Sequence, residues 1–97
     1  MNIFLFLKFF FRLVKYYLSS TKRYAFLLQC IYKKKPKSII EIGVYNGKRA
    51  IEMIETAKIF NDEIVYYGFD LFEDFYKKKK IYLKKNLAKI HLQKSKF

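Results

Sequence analysis

The chain contains 97 residues, of which 53% are hydrophobic and 21% aromatic, so it can form one small domain with a modest core. A single cysteine, Cys30, excludes an internal disulfide, and a single histidine, His91, leaves too few ligands for a usual zinc site within one chain. We therefore expect a reducing, cytoplasmic setting and no bound metal.

The formal net charge of +13 is distributed unevenly along the chain. Nine basic residues and no acid precede Glu41, all eight acids lie between Glu41 and Asp74, and nine more basic residues follow Asp74. An acidic centre therefore lies between two basic arms. Because a nucleic-acid-binding domain usually carries its positive charge on the folded core, this distribution argues against nucleic acid as a partner.

Residues 1–32 form a basic, aromatic segment whose polar positions recur with helical spacing. Cations interrupt its apolar runs before they reach the roughly 18 residues that a membrane span requires. One polar stripe has separations of four, three, four and three residues: Lys8, Arg12, Lys15, Ser19 and Lys22. A narrow cationic stripe beside a wide aromatic face is typical of a helix in a membrane interface. Either residues 1–25 bind an anionic membrane surface, which would make the protein peripheral to it, or this helix packs against the domain or a partner.

The run "KKKPK", residues 33–37, predicts a basic linker. Its like charges favour solvent, and proline disfavours a helical conformation in the residue that precedes it. The chain is thereby divided into a helical segment (residues 1–32), the linker (33–37) and a domain (38–97).

The domain alternates between strand and helix periodicity. The β-branched run "SIIEIG" predicts a buried strand, and "KRAIEMIETAKIF" predicts an amphipathic helix with Asn46 as its cap and Glu52 and Glu55 away from its apolar face. "IVYYGFD" predicts a second buried strand, residues 71–87 a second helix, and "AKIHLQK" a third strand. Strands that alternate with helices favour a parallel sheet. We expect an α/β fold, namely the βαβαβ half of a Rossmann-like parallel sheet, preceded by an N-terminal amphipathic helix.

Two acids and two glycines follow the predicted strands at their carboxyl ends, where parallel sheets bind ligands. They are Glu41, Gly43, Gly47 and Asp70. Glycine lets the backbone approach a ligand closely, and the next helix directs its N-terminus at the same place. The turn lacks the middle glycine of the dinucleotide fingerprint G-x-G-x-x-G. The carboxylate of Glu41 suits a cationic ligand better than a pyrophosphate.

The stretch "IIEIGVYNGKRA" resembles motif I of class I S-adenosylmethionine-dependent methyltransferases in its E-x-G-x-x-x-G form. "YYGFDLFEDF" is similar to the end of the second strand in the small-molecule O-methyltransferases of that family. The resemblance covers about residues 37–75. It implies that Glu41 lies near the methionine amine, that Gly43 and Gly47 admit the methionine and ribose, and that Asp70 binds the ribose hydroxyls.

The function implied by this resemblance is the S-adenosylmethionine-binding half of a methyltransferase. Once completed, such a protein would transfer a methyl group to a hydroxyl of a small-molecule or sugar acceptor. A doubly wound fold has two halves, so a second chain or further strands would have to complete the sheet and supply the catalytic residues, which the sequence does not identify. The alternative is a catalytically inactive remnant or interaction module whose basic arms contact a membrane surface.

Overall fold

The structure of the chain, a computed structural model, describes residues 1–44, 47–70 and 88–94. The described residues form a mixed α/β arrangement of three helices and three strands. In chain order these are α1 (Ile3–Tyr17), α2 (Lys22–Lys34), β1 (Ser38–Ile42), α3 (Lys48–Ala57), β2 (Val65–Asp70) and β3 (Lys89–Lys94). The helix predicted over residues 71–87 and the cap predicted at Asn46 lie outside the described residues.

The three described strands form one parallel sheet in the order β1-β2-β3, which confirms the predicted α/β class and the strand direction. In the register, Ile42 pairs with Phe69, and Asp70 pairs with Lys94. The chain passes through α3 between β1 and β2. The carboxyl ends of β1 and β2 therefore lie beside each other.

The two faces of β1 differ in exposure. Ile39 and Glu41 are half-buried on the face that carries the helices, whereas Ile40 and Ile42 are 69% and 78% exposed on the other face. The prediction of a buried strand is therefore wrong for one face. The described helices all pack into one core with the first face of the sheet, so they cannot cover the second.

α1 and α2 form an antiparallel helical hairpin. The rings of Phe9 and Tyr32 stack at 4.6 Å, while Tyr16 and Tyr24 meet edge-on at 5.4 Å near the turn. Helix α1 ends at Tyr17, so the predicted stripe does not continue in one helix to Lys22. Within the described residues, no helix is long and apolar enough to cross a membrane.

α2 extends into the predicted linker. It includes Lys33 and ends at Lys34, and the residue that caps it, Lys35, adopts a left-handed conformation with a φ of 49°. The amide of Lys35 donates to the carbonyl of Ile31 at 3.0 Å and so satisfies one of the last helical carbonyls. The boundary between the helical segment and the sheet therefore lies at Lys35 and Pro36.

α1 packs against α3 through its charged stripe. Lys8 and Arg12 donate to the carboxylate of Glu55 at 3.0 and 2.8 Å, and the Tyr16 hydroxyl donates to Glu52 at 2.5 and 2.7 Å. Arg12 also lies 3.8 Å from Glu52. Glu52 and Glu55 are consequently buried, contrary to the expectation from the helical pattern of α3 alone. The polar side of α3 is thus an internal contact.

Candidate functional site

The four predicted site residues lie at or next to the carboxyl ends of β1 and β2. Glu41 is the penultimate residue of β1, Gly43 directly follows that strand, Gly47 directly precedes α3, and Asp70 closes β2. The amide of Gly43 donates to the carbonyl of Phe69 at 2.7 Å. This bond extends the parallel pairing by one residue beyond β1 and holds the turn beside the end of β2.

Gly43 is required at its position by backbone conformation. Its φ of 84° lies in the left-handed region, which side chains with a Cβ rarely adopt. A Cβ built on Gly43 meets no atom of the described residues within 4 Å, so these residues would not exclude a side chain there. The backbone at the end of β1 is therefore open to approach by a ligand.

Gly47 is the residue that precedes the first turn of α3. It has a φ of 86° and is buried, and its carbonyl accepts the first intrahelical hydrogen bond from Ile51 at 3.0 Å. The helix start that was predicted with Asn46 as cap is thus formed with Gly47 in the N-cap position. The amides of the first turn of α3 follow this turn, and helix N-termini favour negative or electron-rich ligand atoms.

Glu41 is held by a tyrosine of the neighbouring strand. The Tyr66 hydroxyl donates to the Glu41 carboxylate at 2.5 Å, and Tyr66 is fully buried. In the register Glu41 pairs with Gly68, so Tyr66 is its diagonal neighbour on the same face of the sheet. Tyr66 lies within the predicted buried strand "IVYYGFD", where its first role is packing. Its second role follows from the strand register, which a single sequence does not supply.

Comparison of the chain with protein-family models, with curated proteins and with solved structures returned no match. Its function must therefore be inferred from the residues themselves.

Two grooves formed by described residues lie away from the turn at Gly43. One has a volume of about 460 Å³ and is lined at the amino-terminal ends of β2 and β3 by Asp62, Glu63, Ile64, Val65 and Lys89. The other, of about 330 Å³, is lined by Met1, Asn2, Ile59, Phe60 and Asp62. Neither touches a predicted site residue. Ligands of parallel sheets bind at the opposite, carboxyl ends of the strands, so we do not assign these grooves to the site.

Proposed function

We propose that the carboxyl ends of β1 and β2 bind S-adenosylmethionine and that the chain is the cofactor-binding half of a methyltransferase-like protein. The supporting observation is the Gly43 turn, where a left-handed backbone is hydrogen-bonded to the end of β2 and no atom of the described part of the chain lies within 4 Å of a Cβ at Gly43. A ligand can contact backbone at that point without displacing a side chain. In this assignment the three strands with α3 form part of a Rossmann-like half.

The chemistry of the predicted residues favours a cationic ligand with a ribose. Glu41 supplies a carboxylate two residues before Gly43, and its orientation is fixed by the Tyr66 hydroxyl. Asp70 ends β2, where an acid of a parallel sheet accepts hydrogen bonds from ribose hydroxyls. The proposal assigns Glu41 to the methionine amine, Gly43 and Gly47 to close backbone approach, and Asp70 to the ribose.

The reaction proposed for the completed protein is direct methyl transfer to a hydroxyl of a small molecule or sugar. The oxygen–methyl bond forms as the sulfur–methyl bond breaks, the electron pair remains on sulfur, and the hydroxyl proton leaves to a base. Such a reaction depends mainly on in-line positioning of the two reactants. No described residue is assigned as the base.

Completion of the site would require more structure beside β1. In the described sheet β1 is an edge strand, and Ile40 and Ile42 expose apolar side chains on the face opposite the helices. Unpaired edges and exposed apolar faces favour association with further strands or helices. We propose that a second chain or additional strands pair with β1 and supply the acceptor pocket.

Calorimetric titration of the full chain with S-adenosylmethionine and with its demethylated product tests this function. Asp70→Ala should lower affinity about tenfold to a hundredfold, the equivalent of losing charge-assisted hydrogen bonds of roughly 1.5–3 kcal/mol. Asp62→Ala, at the other end of the strands, is the matched control and should bind as the parent does. The unsubstituted chain should bind nicotinamide dinucleotides no more tightly than S-adenosylmethionine. Equal affinity of the Asp70 and Asp62 variants would overturn the assignment.

A further inference from the structure

Helix α1 is apolar on two sides: Leu5, Phe9 and Tyr16 pack into the core, and a second set of large apolar side chains is exposed. Lys8 and Arg12 face α3, whereas a row of large apolar side chains faces away from the protein. We call this row the outer stripe; its positions are separated by three, four, three and four residues: Phe4, Leu7, Phe11, Val14 and Leu18. Their exposures are 66%, 47%, 67%, 42% and 84%, and Ile3, Phe10 and Tyr17 flank them at 61%, 50% and 40%.

The apolar surface continues from the outer stripe onto α2. The rings of Tyr17 and Phe26 meet edge-on at 6.1 Å, and Phe26 is 59% exposed. Helical spacing places Lys22 and Lys33 on the same side of α2 as Phe26, one towards each end of the helix. The hairpin thus presents an aromatic surface with cations at its margins. Contiguous apolar surfaces of this kind mark sites of interaction with proteins or membranes.

The charge of the hairpin selects between the two kinds of partner. Residues 1–37 contain nine basic residues and no acid. Among the described residues only Lys8 and Arg12 of these nine form ion pairs; the other seven are exposed: Lys15, Lys22, Arg23, Lys33, Lys34, Lys35 and Lys37. A second copy of the hairpin would bring like charges together without the complementary acids that pair helices at an interface. A bilayer with anionic headgroups offers both apolar depth and negative charge.

We propose that the α1–α2 hairpin docks on an anionic lipid surface, with the outer stripe inserted at the headgroup boundary. The ion pairs of Lys8 and Arg12 with the buried Glu55 hold α1 on α3, and the exposed lysines and arginine of the hairpin attract the lipid headgroups. Of the cationic stripe that the sequence offers as the membrane contact, Lys8 and Arg12 therefore bind α3, Lys15 and Lys22 stay exposed, and the neighbouring outer stripe makes the apolar contact. This docking does not depend on the proposed cofactor site.

The chain contains no tryptophan, so single tryptophans can report insertion without background. Phe11→Trp places the probe in the outer stripe, and Ile42→Trp places it on an equally exposed position of the sheet. With phosphatidylcholine vesicles that contain phosphatidylserine, the probe at position 11 should shift to shorter wavelength and be quenched by brominated lipid. The probe at position 42 should remain unquenched. Binding to the vesicles with no quenching at position 11 would mean adsorption through another surface and would overturn the proposal.

Affinity measurements on the same vesicles provide a second test. The double substitution Phe4→Ser and Phe11→Ser should lower partitioning at least about tenfold, because each aromatic ring loses a favourable transfer from water. Ile40→Ser with Ile42→Ser is the matched control and should leave partitioning unchanged. Binding should weaken with added salt and on neutral vesicles. An equal loss of partitioning in the two double variants would refute the outer stripe as the docking face. Sedimentation velocity would refute it as well if the parent chain were a dimer that only the substitutions at Phe4 and Phe11 dissociate.

Discussion

The Arg12 guanidinium on α1 donates a hydrogen bond of 2.8 Å to the Glu55 carboxylate on α3, across 43 residues of sequence. Lys8 donates to the other oxygen of the same carboxylate at 3.0 Å. Only 11% of the Glu55 side chain is exposed, so its charge depends on these two partners rather than on water. This pairing holds the side of α1 that carries Lys8 and Arg12 against α3 and leaves the outer stripe exposed.

Removal of Arg12 should be strongly destabilising. Arg12→Ala leaves two carboxylates, Glu52 and Glu55, with fewer partners in a mostly buried site, and we expect a loss of about 3 kcal/mol in the free energy of unfolding. Lys15→Ala is the control on the same helix, since Lys15 is exposed and its ammonium lies over the Tyr16 ring at 5.4 Å, and it should cost less than about 1 kcal/mol. Urea denaturation of both variants measures the difference, and similar losses would contradict the internal role of Arg12.

The same cluster should make stability fall in acid. Burial alone would raise the pKa of Glu55, but the hydrogen bonds and charges of Arg12 and Lys8 outweigh it, and the pKa lies below its ordinary 4.5. The Glu55 carboxylate therefore stabilises the fold above about pH 4.5. This stabilisation is lost as the pH falls through the pKa of Glu55 in the folded protein, which is lower than in the unfolded chain. Glu55→Gln should flatten the acid limb of the stability curve, whereas exposed Glu63→Gln should not. If the stability of the Glu55→Gln variant fell in acid as steeply as that of the parent, this expectation would be wrong.

Ionisation of the Tyr16 hydroxyl should lower the stability of the fold at alkaline pH. Burial, followed by the hydrogen bond and charge of Glu52, raises the pKa of Tyr16 from 10.0 to about 12. A raised pKa stabilises the fold below pH 10, and this contribution is lost as pH rises from about 10 to 12, by up to about 3 kcal/mol. Tyr16→Phe should be less stable than the parent at neutral pH, with a difference that narrows above pH 10. A stability difference that stays constant across this pH range would contradict the expectation.

Substitutions of Gly43 should show whether a side chain at this position is disfavoured by backbone strain or by steric exclusion. Within residues 1–44, 47–70 and 88–94 no atom lies within 4 Å of the added Cβ, so Gly43→Ala should cost about 1–2 kcal/mol through its φ of 84°. Gly43→Asn should cost less, because asparagine tolerates the left-handed region better than alanine. Thermal unfolding of both variants provides the comparison. Equal losses from the two substitutions would indicate that strain at φ is not the cause.

The sheet was predictable from local patterns because each strand of the βαβ unit carries its own signal. The β-branched run before Glu41 and the run that ends at Asp70 predict β1 and β2 at nearly their observed bounds, and the parallel direction follows from the helix between them. The exposure of Ile40 and Ile42 was not predictable, because it depends on which face the helices cover. The end of α1 at Tyr17 likewise interrupts a charge pattern that taken alone favours one longer helix.

The candidate site was predictable in its glycines but not in its contacts. Gly43 and Gly47 have the positive φ values expected of glycines in a turn between strand and helix. The hydrogen bond from Tyr66 to Glu41 depends on strand register, and the contacts of Glu52 and Glu55 depend on packing of α1 from the other end of the sequence. Long-range contacts of this kind leave no mark in local periodicity.

The attachment of α1 to α3 also has a consequence for the order of folding during synthesis. The partners of α1 are distant in sequence: the amide of Asn2 donates to the carbonyl of Ile59 at 2.9 Å, and Lys8 binds Glu55 across 47 residues. Until residue 59 leaves the ribosome, the side of α1 that binds α3 lacks its partners, although α2, which contacts Phe9 and Tyr16, is already synthesised. The nascent chain therefore exposes an amphipathic helix throughout synthesis of its first half, and contacts of such long sequence separation form late and slowly.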